Sequence, residues 1–364
     1  MKYILILVWI GFIAVADKAA RVQRIEPVLG KPQFRYPMWF AVLTFVPIIW
    51  LVGHRGFIAD TTAYIFTFLD MPSEFDGISN YLSTVDKDKG FYLFSSIIKV
   101  IFGNDYVIYL TIIAIVQSIP LIYVYRKYST KYVVSVFLFL VSTDYISWMC
   151  NGIRQFVAVT IIFAATTLII AKKYIPLILI ILLAATFHQS ALIMIPIVFI
   201  AQGKAWNKKT LLFLGLVILA VLYVGEFTSL MNDALAETQY SNMTNSTMFS
   251  EDDGTNPLRV LVYSIPAVLS FFCRNQIKAS KDPVINLCTN MSIISMGIYI
   301  VSMVTSGIYI GRVPIYMSLY NYILLPWEID HLFKEENRKY IYIAMIVCYL
   351  LFYYYQMHIT YGLF

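Results

Sequence analysis

Apolar runs of 13 to 23 residues recur along the whole chain, each broken by a short polar segment. This pattern constrains the fold more than any single motif. A helix needs about 20 predominantly apolar residues to cross a bilayer, and a soluble globule cannot cover so many such stretches with a polar skin. The runs read as spans at 2–16, 37–53, 105–125, 132–149, 153–171, 174–187, 189–201, 210–226, 257–273, 283–305, 312–327 and 340–356, twelve in all. Residues 90–103 (GFYLFSSIIKVIFG) are shorter and amphipathic, and read as an interfacial or re-entrant helix. The expected fold is an all-α polytopic membrane protein, a single transmembrane domain over 1–364. Two longer polar loops interrupt it, at 54–104 with the interfacial helix and at 227–256.

Composition agrees. Only 13% of residues are charged and 60% are hydrophobic, where soluble domains carry about 25% charged residues. That excludes a cytosolic enzyme, a disulfide-rich secreted domain and a disordered chain. Cys150, Cys273, Cys288 and Cys348 lie in or beside apolar runs with no metal or redox spacing, and read as small core residues. There is no Walker loop, HExxH, GxSxG or CxxC, and no intramembrane acid cluster resembling a proton relay. No metal, cofactor or nucleic-acid partner is expected.

Lys and Arg set the orientation. The loop 17–35 carries Lys18, Arg21, Arg24, Lys31 and Arg35 and is expected inside. Alternation then places 126–131, 172–173, 202–209, 274–282 and 328–339 inside too. These six loops hold 19 of the 27 Lys and Arg and 7 of the 21 acids, a net of +12. The remainder carries a net of −6. Ala14-Val15-Ala16 has the look of a signal-peptidase site, but only Lys2 precedes the run and five basic residues follow it, so the segment reads as a retained span. Asn242-Met-Thr and Asn245-Ser-Thr match glycosylation sequons in the 227–256 loop, a match that is frequent by chance in loops rich in Asn, Thr and Ser.

On this topology four arginines sit at outer span ends, where positive charge is normally avoided: Arg55, Arg154, Arg259 and Arg312. His188 lies in the break Phe187-His-Gln-Ser190 at the same depth. A guanidinium is a rigid, permanently charged fork that matches phosphate oxygens bidentately, so the group reads as an anion site. Each arginine alone could instead reach lipid phosphate, or pair with Asp60, Asp144 or Glu226. Asp60 follows span two closely enough to face the arginines, as a partner of Arg55, a base or a ligand for a sugar hydroxyl. The 28 Tyr and 25 Phe suit interfacial belts first and sugar stacking second.

Five short segments carry a resemblance. Arg55-x4-Asp60-x3-Tyr64, Asp88-Lys-Gly90-Phe91, Gly152-Ile-Arg154-Gln155-x2-Ala158, Phe187-His188-Gln-Ser190-Ala191 and Gly311-Arg312-Val-Pro-Ile-Tyr316 occur in this order. Together they resemble the EpsG family of bacterial polysaccharide polymerases, within the wider group of Wzy-type polymerases and lipid-linked glycan ligases. The second segment departs from the family pattern, with Asp88 for Glu and Lys89 where Pro is common. The resemblance implies a C-type membrane glycosyltransferase fold and an undecaprenyl-pyrophosphate-linked oligosaccharide as substrate. A growing glycan would pass from one carrier to the non-reducing end of a repeat unit on another. It also implies a bacterial inner (cytoplasmic) membrane location with the active site on the periplasmic or extracellular side. The lipid bilayer, a chain-length regulator and a flippase are the implied partners.

That chemistry suits the residues. The pyrophosphate leaving group gains charge as the glycosidic bond breaks, and preorganised arginines stabilise it without a metal. Arg154 and Arg312 are expected on the pyrophosphate, with Arg55, Arg259, Gln155, Tyr64 and Tyr316 as further binding residues. A histidine's unperturbed pKa of about 6.5 suits a base at neutral pH, so His188 is the expected base, and Asp60 its competitor. A ligase acting on another acceptor shares the clamp. A flippase would place charges along a central cavity, and a membrane acyltransferase would use its His on the cytoplasmic side.

Overall fold

The computed structural model describes residues 2–25, 32–56, 60–235 and 254–363. The two sequons lie outside the described residues. The chain forms two compact units, residues 1–192 with 333–364, and residues 193–332.

The first unit is helical apart from one hairpin. Helix α1 (Lys2–Ala20) leads into antiparallel strands Val22–Ile25 and Pro32–Arg35, with Val22 opposite Arg35. The hairpin falls in the expected loop 17–35, and the other described elements are helical, as expected. Then follow α2 (Met38–Gly53), α3 (Thr61–Leu69), α4 (Phe75–Ser83), α5 (Lys89–Phe102), α6 (Tyr106–Tyr128), α7 (Tyr132–Val141), a π-helical turn Tyr145–Asn151, α8 (Ile153–Ala164), α9 (Thr166–Ile170) and α10 (Tyr174–Phe187). The helix Glu335–Tyr355 returns to this unit and packs on α7.

Helix α6 is the central post, packed against both α2 and α8. Its ends are well specified. The Asp105 carboxylate accepts from the amides of Val107 and Ile108, and Arg126 and Lys127 occupy the last turn. An acceptor at the N-terminus and cations at the C-terminus both complement the helix dipole.

Side-chain bonds sort the loops of this unit onto two ends. Arg126 Nε donates to the Tyr36 carbonyl at 2.6 Å, and Arg35 donates to the Ser129 carbonyl at 3.2 Å. Lys127 donates to Thr167 Oγ1 at 3.0 Å. The Lys131 ammonium lies 4.1 Å from the Tyr342 ring centroid. These are the ends expected inside. At the opposite end Arg55 meets Thr61, and α5 meets α10.

The expected outer loop 54–104 is mostly helix, as α3, α4 and α5. The expected interfacial segment 90–103 coincides with α5. Lys99 of α5 is buried and donates to the Leu69 carbonyl at 3.0 Å and to Asn104 Oδ1, with Phe68 beneath it. It therefore fastens α5 to α3 instead of reaching lipid. Burial lowers its pKa, with Asp70 opposing.

In the second unit, Pro283–Met303 is the central helix, packed against Met194–Ala201, Lys208–Leu222, Pro257–Phe272 and Asn321–Leu332. Asp282 and Asn256 cap helices that begin with Pro283 and Pro257, the usual place for proline. Val224–Leu235 is helical, so the expected outer loop 227–256 begins inside a helix.

Among the described residues, three helices are long and apolar enough to cross a membrane: Tyr106–Tyr128, Pro283–Met303 and Glu335–Thr360. Three bent pairs raise the number to six. They are Tyr132–Val141 with Tyr145–Asn151 (72°), Lys208–Leu222 with Val224–Met231 (105°), and Pro257–Phe272 with Arg274–Ser280 (71°). The twelve-span count is not reproduced. Expected span 37–53 is a 16-residue helix, about 24 Å at 1.5 Å per residue. Expected spans 153–171 and 312–327 are each broken into shorter helices. Apolar periodicity locates such segments but does not register a break inside them. The surface is that of a membrane protein even so. Val15 is 84% exposed and Ile175 78%, among many large apolar side chains on helix faces, a surface suited to lipid and not to water.

Candidate functional site

Arg154 lies in the first turn of α8, just after Gly152 ends the π-helical turn. A cation at a helix N-terminus opposes the dipole and needs a counter-charge. Asp88 supplies it. Arg154 Nη1 donates to Asp88 Oδ2 at 2.8 Å, with the Asp88 side chain 1% exposed and that of Arg154 25%. The partner is thus Asp88, not Asp60, Asp144 or Glu226. Arg154 also reaches the Tyr92 hydroxyl at 3.5 Å and lies 5.9 Å from that ring's centroid. The Tyr64 hydroxyl is beside the same guanidinium.

Asp88 sits in the left-handed region (φ 57°) immediately before α5, and its carbonyl accepts from the Phe91 and Tyr92 amides. Burial raises its carboxyl pKa, while Arg154 pulls it down. The Gln189 amide also approaches the carboxylate, yet Oδ1 makes no hydrogen bond. One carboxylate oxygen is therefore committed to Arg154 and the other is buried and unsatisfied.

Close packing brings the fourth motif to the second. A Cβ on Gly90 would meet Thr186 Oγ1 at 2.2 Å, so only glycine lets α5 approach α10 this closely. Phe94 and Phe187 add a ring contact at 6.3 Å. Gly90→Ala is expected to destabilise the protein by about 1–3 kcal/mol, as overpacking does. A lowered thermal unfolding midpoint, partly recovered by adding Thr186→Ala, checks it; an unchanged midpoint contradicts the contact.

The first motif supplies the floor and mouth. Arg55 is buried; its Nε donates to Thr61 Oγ1 at 2.9 Å and its Nη1 to the Val52 carbonyl at 2.6 Å. It joins the end of α2 to the start of α3 and does not pair with Asp60. Asp60 stands at the N-cap of α3 but makes no capping bond. Its exposed carboxylate instead lines a cavity of about 180 Å³ together with Tyr64, Phe91, Tyr92, Tyr109 and Arg154. Asp60, Tyr64 and Arg154 are thereby brought together. That volume suits one sugar ring or one phosphate group, not a whole carrier.

His188 is half-buried at the end of α10, with Nδ1 2.7 Å from Ser190 Oγ. It does not line this cavity; it precedes the Gln189 amide that approaches Asp88. Gln155 is buried next to Arg154 in sequence.

The remaining residues belong to the second unit. The Thr255 amide donates to the Ser302 carbonyl at 3.0 Å, and Ser302 Oγ to Thr255 Oγ1 at 2.8 Å. These bonds hold the start of Pro257–Phe272 against the end of Pro283–Met303. Arg259 is half-buried with its guanidinium 5.6 Å from the Tyr263 ring centroid. Arg312 closes the short 3₁₀ turn Ile310–Arg312 and is exposed, whereas Tyr316 is buried.

Asp88 and Tyr92 were not among the residues expected in the site. Asp88 is marked in the sequence only by its place in the second motif segment, and Tyr92 lies just beyond that segment. Among the described residues no group of three or more His, Cys, Asp or Glu could hold a metal ion.

A model of the EpsG family matches residues 38–363. The chain belongs to the EpsG family. All five motif segments fall within the match, while α1 and the hairpin precede it. EpsG proteins form a Wzy-type polymerase-like family, and this EpsG protein is a membrane protein associated with polysaccharide synthesis. Comparison with curated proteins and with solved structures finds no match.

Proposed function

We propose that this EpsG protein is a glycosyltransferase that polymerises a lipid-linked glycan. The growing chain moves from an undecaprenyl-pyrophosphate carrier to the non-reducing end of a repeat unit on a second carrier. One observation carries the reading: Arg154 and Asp60 line a single cavity, and Asp88 holds the arginine in place. A cation and a carboxylate are what the transfer needs. The acceptor hydroxyl attacks the donor's anomeric carbon, and the bond from that carbon to the pyrophosphate oxygen breaks. The leaving electron pair stays on the pyrophosphate, beside Arg154. The hydroxyl proton goes to a base.

Asp60 is the better-placed base, because it faces the cavity and His188 does not line it. Proton transfer to a positioned carboxylate is established glycosyl chemistry. His188, closing α10 beside Asp88, suits a supporting place. Tyr64 and Tyr92 flank the guanidinium and offer hydroxyls and ring faces to a sugar. Arg312 and Arg259, at segment ends that the charge pattern of the sequence assigns to the outside, are proposed for a carrier pyrophosphate or the glycan. The same pattern puts the cavity on the periplasmic or extracellular side of the cytoplasmic membrane, with a flippase and a chain-length regulator as partners. Because the arginine supplies the charge, no metal is required.

The test uses purified protein and a synthetic carrier-linked repeat unit. A ladder of carrier-linked oligomers, unaffected by chelator, is expected. Transfer only to a different acceptor would make the protein a ligase. Carrier movement across vesicles with no covalent product would make it a transporter.

A further inference from the structure

A second cavity, of about 600 Å³, lies wholly within the second unit. Lys204, Arg274, Lys278 and Lys281 line it, and no acidic side chain does. All four cations are exposed. The nearest acid in sequence, Asp282, is engaged as the cap of Pro283–Met303, accepting from the Val284 amide at 2.8 Å.

The cavity is built, not incidental. The loop 202–207 is fastened to the central helix by asparagines. Asn286 Oδ1 accepts from the Ala205 amide at 2.7 Å, and Asn290 Oδ1 from the Trp206 amide at 3.2 Å. Asn290 Nδ2 donates to the Ala201 carbonyl at 2.8 Å. Trp206 Nε1 donates to Ser270 Oγ at 3.1 Å, and its ring meets Phe271 edge-on at 5.6 Å. On Phe271 rests the Arg274 guanidinium, 4.6 Å from the centroid. The 71° bend before Arg274–Ser280 turns this short helix across the end of the preceding one.

The charge pattern is unfavourable without a ligand. Arg274 and Lys278 are four apart on one short helix, where like charges repel, and Lys281 follows at its C-cap. An anion held among them relieves the repulsion. Phe271 and Phe272 are 47% and 61% exposed beside the cations, so charge and apolar surface meet at one edge. That combination fits an amphiphile with a phosphate head.

We infer that the cavity lined by Lys204, Arg274, Lys278 and Lys281 binds the phosphate headgroup of an anionic phospholipid, with Trp206 in its wall and Phe271 and Phe272 exposed next to Arg274. Both contributing loops, 202–209 and 274–282, belong to the basic set expected inside, so the lipid would come from the cytoplasmic leaflet. The site is distinct from the Arg154 cavity and does not depend on the polymerase reading. A free phosphate would share the cations but gain nothing from the aromatic wall.

Native mass spectrometry of the detergent-purified protein tests it, with phosphatidylglycerol and phosphatidylcholine as probes. Retention of phosphatidylglycerol over phosphatidylcholine is expected. Lys278→Gln should weaken it about fivefold, as loss of one basic residue near an anionic surface does. Arg274→Gln with Lys278→Gln and Lys281→Gln should weaken it by about a hundredfold on the same basis. Equal retention of both lipids, or unchanged retention by Lys278→Gln at an unchanged unfolding midpoint, would overturn the inference. Displacement by millimolar inorganic phosphate would overturn the lipid assignment and leave a soluble-anion site.

Discussion

Arg154→Lys is expected to lower polymerisation by about 10²–10³ in turnover, the usual cost of losing one preorganised donor to developing charge. Lysine keeps the charge but loses the planar fork. In this protein Nη1 alone serves both Asp88 Oδ2 and the Tyr92 hydroxyl, which leaves the rest of the guanidinium for the cavity. An ammonium that took over both bonds would have no second nitrogen to offer the cavity. Lysine is the informative replacement because it leaves Asp88 with a cation. Arg154→Ala would strand a buried carboxylate, and breaking a buried pair in that way costs about 3–5 kcal/mol of stability. A purified Arg154→Lys protein that unfolds at the wild-type midpoint and makes few or no oligomers meets the expectation. Wild-type chain length from it would reduce the pair to a structural clasp.

Asp60→Asn is expected to cost about 10²–10⁴ in rate, the range for loss of a general base, with carrier binding little changed. The residue is exposed and forms no cap bond, so its loss should leave α3 intact. His188→Ala is expected to have the smaller effect, because its ring nitrogen is 2.7 Å from Ser190 Oγ and the residue does not line the cavity. Single-turnover rates of the two variants separate the roles. If His188→Ala is inactive and Asp60→Asn is near normal, the base is His188, as the sequence alone suggested.

The sequence made much of this arrangement legible, and the misses have physical causes. Charge alternation grouped the loops 17–35, 126–131 and 328–339, and the bonds from Arg35, Arg126 and Lys131 do gather at one end of the first unit. Helix α6 and the helix Pro283–Met303 begin within a residue of their expected bounds because Asp105 and Asp282 cap them. The breaks at Ala165 and within 312–327 were not legible, since apolar content is the same on either side of a break. Motif position drew Arg154, Asp60 and Tyr64 to one site. Arg55 has the same residue type and motif rank, yet it is buried, with Nε on Thr61, Nη1 on the Val52 carbonyl and Nη2 without a partner, and it does not line the cavity. Only the placing of Thr61 against the end of α2 decides that. Asp88 looked like a weakened family position. Its left-handed backbone and its bond to Arg154 are tertiary facts with no local signature.

Photocrosslinking tests the location of the substrate site most directly. A carrier-linked repeat unit bearing a photoreactive group on the sugar next to the pyrophosphate is irradiated with the purified protein, and the adducts are mapped by peptide sequencing. Adducts on Asp60–Met71, on Phe91 and Tyr92, or on the start of α8 near Arg154 are the predicted result. Adducts confined to 204–206 and 274–286, the basic cavity of the second unit, would contradict the assignment of the Arg154 cavity as the place of reaction.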